Sequence, residues 1–112
     1  MKVEPIRLKY EDGTEYTLEF NRKSVAYAEQ NGFSIEDVAG KLMTRVPELF
    51  HYAFRMHHPN MRKDQTDAIL FNDLGGLSNE QIEKLIELYG APYETLINDS
   101  GESKNSKLTV VM

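Results

Sequence analysis

The chain has 112 residues, a net charge of −5 from 13 basic and 18 acidic side chains, and no cysteine. That length suits one domain burying roughly two-thirds of the surface its unfolded chain exposes. The acidic balance argues against general nucleic-acid binding, which needs a basic face to displace counterions, and the lack of cysteine excludes disulfides, thiolate metal sites and Cys nucleophiles.

A hydrophobic share of 40% is too high for a fully disordered chain. Lys2, Glu4, Pro5 and Arg7 stand where a signal peptide would need apolar residues, and no apolar run is long enough to span a bilayer. The expected setting is the cytoplasm, with no membrane.

Over residues 6–20 apolar side chains alternate: Ile6, Leu8 and Tyr10, then Tyr16, Leu18 and Phe20. Period two places each set on one face of a strand, and Asp12-Gly13 between them is a turn signal, so a β-hairpin is predicted. Asn21 is a plausible N-cap for a helix over residues 22–30, closed by Asn31-Gly32. Ser34, with Asp37 three residues on, predicts a second helix with the stripe Ile35, Val38, Ala39, Leu42 and Met43. Pro47 suits the first turn of a new helix, where Val46, Leu49, Phe50, Ala53, Phe54 and His57 follow helical spacing up to His58-Pro59. A further helix is expected over residues 63–74, ending at Gly75-Gly76. Ser78 and Gln81 form a capping box for one carrying Ile82, Leu85, Ile86 and Tyr89.

The fold class predicted is α+β, an N-terminal hairpin on a mainly helical bundle. The folded domain is placed at 1–98 and a flexible, disordered tail at 99–112. Residues 98–107 carry no apolar side chain, which cannot offset the entropy of ordering them. Residues 108–112 read as a frayed end in preference to an added strand.

Chemistry is sparse. His51, His57 and His58 lack metal-ligand spacing, and His57 reads as interfacial with His58 solvated. Asp37, Glu80, Ser34 and Ser78 are explained as caps or dipole partners. No catalytic, metal or cofactor site is expected, and the chain reads as a non-enzyme. One contrast remains. Arg55, Met56, Met61, Arg62 and Lys63 form a basic, methionine-bearing corner, whereas Glu80, Glu83 and Glu87 line an acidic helix. Opposite potentials steer association and Met adapts to varied surfaces, so these residues are the candidate partner-binding and self-association sites.

The order of elements resembles the tail assembly chaperones of long-tailed bacteriophages infecting Gram-positive hosts. The residues carrying the resemblance are the turn Glu11-Asp12-Gly13-Thr14, then Phe20-Asn21, Ala26-Tyr27-Ala28-Glu29, Ser34-Ile35-Glu36-Asp37 and Phe50-His51-Tyr52-Ala53-Phe54. The Gly76-Leu77-Ser78 junction into residues 80–89 completes them. The resemblance implies a chaperone that binds the tape measure protein, keeps it soluble and helps recruit tail tube protein. It further implies action in the cytoplasm of the infected bacterium and absence from the mature virion. The rival from another class is a small phage-encoded regulator that binds and blocks a host or phage enzyme, and a third is a structural virion component.

Overall fold

The structure is a computed structural model describing residues 3–96, 108, 111 and 112. It is an α+β fold with an N-terminal antiparallel hairpin against helices. The expected boundary at 98–99 and the tail beyond it lie outside the described residues, apart from the exposed Leu108, Val111 and Met112.

Strands β1 (Ile6–Lys9) and β2 (Glu15–Leu18) pair in the register Ile6 with Leu18, Arg7 with Thr17, Leu8 with Tyr16 and Lys9 with Glu15. That register sends Ile6, Leu8, Tyr16 and Leu18 to one face, as period two demands, and they pack on the core with Leu18 fully buried. Gly13, at φ +95°, makes the turn, and the Asp12 carboxylate accepts from the Thr14 N–H at 2.9 Å. At the hairpin tip, the Tyr10 hydroxyl donates to Asp73, which pushes the Tyr10 pKa up to about 12.

Helix α1 (Arg22–Gln30) starts on a reciprocal cap: Asn21 Oδ1 accepts from the Ser24 N–H at 2.8 Å and Ser24 Oγ from the Asn21 N–H at 2.9 Å. Only Ile35–Asp37 of the second predicted helix forms, as one tight 3₁₀ turn. Helix α2 then runs unbroken from Leu42 to Ala53. The chain bends between, with the Asp37 carbonyl accepting from both Gly40 and Lys41. Leu42 and Met43 therefore open α2 on its outward side, 54% and 83% exposed, which corrects the stripe that joined them to Val38. Pro47 lies inside α2, not in its first turn. Its missing N–H leaves only the Met43 carbonyl, close to the exposed start of the helix where water can reach it.

After Ala53 the chain tightens, with Phe54 N–H on His51 O and Arg55 N–H on Tyr52 O, both at 3.1 Å, and a four-residue turn then closes as the His58 N–H donates to Phe54 O at 2.7 Å. This reverses the expected histidine roles. His58 is half-buried and its Nε2 accepts the Thr17 N–H at 3.0 Å. His57 is exposed, with Nε2 at 2.8 Å from Glu19 Oε1. Together with the Glu19 N–H bonded to Ala53 O at 3.0 Å, the His58 contact closes the outer edge of β2 against the end of α2.

Helix α3 (Lys63–Ala68) widens into a π turn over Ile69–Asp73, with Leu74 N–H reaching back to Ile69 O at 2.8 Å. Widening turns Ile69 and Leu70 inward and leaves Phe71 and Leu74 exposed. The predicted capping box opens α4 (Asn79–Gly90): Ser78 Oγ accepts from Gln81 N–H at 3.1 Å and Gln81 Oε1 from Ser78 N–H at 2.8 Å. A 3₁₀ turn, Ala91–Thr95, follows. Phe33 and Leu88 join the core beyond the residues periodicity picked out, and Tyr89, on the predicted stripe of α4, packs edge-on with its ring centre 5.1 Å from that of Phe20 and 5.4 Å from that of Phe33.

Candidate functional site

The basic corner is built on the loop after α2, and its charges are already engaged. The Arg55 guanidinium lies 3.7 Å over the Tyr27 ring and Nη1 donates to Pro59 O at 3.4 Å. Arg62 Nε meets Asp64 at 3.1 Å and Lys63 Nζ meets Asp67 at 2.8 Å. The Arg62 hydrogen bond holds the Asp64 carboxyl below its usual range. Reading the corner as ending at Lys63 missed these acids, although the Lys63–Asp67 spacing of four on a helix signals such a pair. Met56 is 36% exposed, whereas Met61 packs against the core. Two of the corner's three cations are therefore paired with carboxylates, Arg55 is stacked on a ring, and Met56 is its more exposed methionine.

Beside it, Tyr27, His51, Tyr52, Arg55, His58 and Asn60 line a polar pocket of about 170 Å³. The Thr66 hydroxyl donates to Lys63 O at 3.1 Å, so its lone pair accepts a hydrogen bond from His51 Nδ1–H at 2.9 Å. His58, accepting the Thr17 N–H on Nε2, carries its proton on Nδ1. Burial pushes both imidazole pKa values down; Lys63 adds to this for His51, and His57 for His58. The Thr66 hydroxyl beside His51 is fully buried, and both histidines tie distant segments together, a contact with a pH signature. A base whose folded pKa is depressed favours folding above its unfolded pKa, about 6.5, and that contribution is lost as pH falls through the folded value. Around His58 stand Tyr16, Phe54 and His57, and around His51 stand Lys63, Asp67 and Arg55. The melting temperature is expected to fall between pH 7 and 5, and the decline should be shallower in His58→Gln, whose amide oxygen accepts at every pH. Identical slopes in melts of the two proteins would contradict this.

Helix α4 differs from the corner. Spacings of three and four put Glu80, Glu83 and Glu87 on one outward face, all exposed, and among the described residues no cation pairs with them. Ile86, 37% exposed, borders this face. Gly90, with nothing within 4 Å of a Cβ built on it, leaves the far end of α4 flat. Lys84, four residues after Glu80 and three before Glu87, lines together with Glu80 a groove of about 280 Å³ against the hairpin that also takes in Ile6, Leu8, Leu74, Leu77 and Leu85. The arrangement is an acidic face with no ion pair among the described residues, edged by apolar surface and suited to contact with another macromolecule. Among the described residues no three His, Asp or Glu side chains converge on a possible metal position.

Residues 2–112 match a domain of unknown function, DUF5055. The chain belongs to the DUF5055 family. The match covers the hairpin, every helix and the residues past Leu96, so corner and acidic face both fall within it. No curated protein and no solved structure matches this DUF5055 chain. Among its described residues no helix is long and apolar enough to cross a membrane.

Proposed function

We propose that this chain acts by binding, not by catalysis, as a chaperone that covers a basic, amphipathic helix of a larger partner. On the resemblance set out above, that partner is the tape measure protein, held soluble in the cytoplasm of an infected bacterium while tail tube subunits are recruited. The observation that carries the reading is the outward face of α4, where Glu80, Glu83 and Glu87 have no cationic partner among the described residues and Ile86 is exposed beside them. A helix with lysines or arginines flanking an apolar stripe would complement that face, because opposite charges steer encounter and the apolar contact supplies the holding energy. A long apolar helix left uncovered aggregates, which is the need such a surface meets.

The role expected of Arg62 and Lys63 passes to α4 in this reading, since each already carries its own carboxylate. The test is sedimentation of a tape-measure fragment with and without equimolar chain. The fragment should move from pellet to supernatant when the chain is present. A fragment that pellets equally in both would displace the chaperone reading in favour of the enzyme-blocking regulator.

A further inference from the structure

The two edges of the hairpin are treated differently. Tyr10 N–H bonds to Thr14 O at 2.8 Å, which makes 10 with 14, 8 with 16 and 6 with 18 the hydrogen-bonded pairs of the ladder. The backbone groups of the alternate residues point away from the partner strand. On β2 the Thr17 N–H is taken by His58 and, just past the strand, the Glu19 N–H by Ala53, which leaves only Glu15 at the tip without such a partner among the described residues. On β1 they belong to Arg7 and Lys9, and among the described residues neither has a backbone partner there. An unpaired strand edge is a template for another strand.

The same edge has an apolar trough beside it. The groove lined by Leu8, Leu74, Leu77 and Leu85 shares Arg7, Leu8 and Leu74 with a second depression of about 270 Å³ lined also by Lys9, Tyr10 and Ile69. The two run together along β1. Leu74, 41% exposed, stands between them.

The chain itself offers an occupant in its sequence past residue 107. Residues 108–112, Leu-Thr-Val-Val-Met, are rich in strand-forming side chains, and Leu108 and Val111 stand 78% and 91% exposed. The tether reaches. Val3, just ahead of β1, lines one depression with Pro92, Glu94 and Thr95, so the chain passes Leu96 close to the start of β1. Residues 97–107 can extend by roughly 36–40 Å, against about 13 Å for the length of β1. They carry only one apolar side chain, Ile97, to hold them elsewhere.

We propose that residues 108–112 add to the free edge of β1 of their own chain as a third strand, seating Leu108, Val110 and Met112 in the trough. Thr109 and Val111 then face solvent beside Arg7 and Lys9, so no like charge is brought against that pair. Tethering raises the local concentration of the strand into the millimolar range, enough for a five-residue segment to compete with water for the edge.

Amide hydrogen exchange on the full chain, with no partner present and α4 unaltered, tests this, so its outcome is read separately from the partner-binding result. Arg7 and Lys9 N–H should exchange about tenfold or more slowly in the wild type than in Val110→Asp. The amides of Leu49 and Phe50 should be unchanged, showing that the variant is folded. Equal exchange at Arg7 and Lys9 in the two proteins would overturn the proposal. Slowing that grows with protein concentration would also overturn it, assigning the strand to a second copy.

Discussion

Replacing Phe54 with alanine is expected to cost about 3–5 kcal/mol, a large part of the roughly 5–15 kcal/mol that holds a domain of this size together. Phe54 is fully buried, and its ring meets Tyr16 at 5.5 Å, Phe50 at 5.2 Å and His58 at 6.1 Å. It therefore joins the hairpin to α2 at the point where α2 ends. Its loss opens a cavity bounded by both layers, which rigid neighbours fill only in part. Leu42→Ala is the matched control: at 54% exposure it should change stability by about 0.5 kcal/mol or less. Urea unfolding of both variants checks the pair. Equal midpoints would mean that the core has been placed wrongly.

The hairpin was readable because its signals are local. Alternation from Ile6 to Phe20 and the Asp12-Gly13 turn concern neighbours in sequence, and the observed register needs nothing else. The caps at Asn21 and Ser78 were readable for the same reason. What sequence pattern missed depends on contacts between distant segments. Pro47 signals a helix start, yet α2 begins five residues earlier, since packing of Val46, Leu49 and Phe50 outweighs one lost hydrogen bond. His58 reads as solvated until Thr17, 41 residues away in sequence, supplies the N–H it accepts. The basic corner read as an uncompensated charge because the count stopped short of Asp64 and Asp67. The exposure of Glu80, Glu83 and Glu87 on one side of α4 was readable because their i, i+3, i+7 spacing is a property of one helix alone.

The second large effect is on binding. Reversing Glu80, Glu83 and Glu87 together to lysine should weaken affinity for a basic tape-measure helix by about ten- to a hundredfold, because complementary potential becomes repulsive along the whole contact. The fold should persist, as all three side chains are exposed. For the wild type, affinity should fall between about 50 and 300 mM salt as the screening length shortens; for the reversed protein that dependence should flatten or change sign. Reversing Arg62 and Lys63 instead should leave affinity within about twofold, since those charges answer Asp64 and Asp67 and rim charges of this kind contribute little. Isothermal titration at two salt concentrations distinguishes the outcomes. Undiminished binding by the triple reversal would remove α4 from the interface.

The most direct measurement is a nuclear magnetic resonance titration of the isotope-labelled chain with an unlabelled tape-measure helix. The account predicts that amide shifts concentrate between Glu80 and Gly90, with the corner from Arg55 to Lys63 little changed. Shifts centred on that corner, or none at saturating fragment, would contradict it.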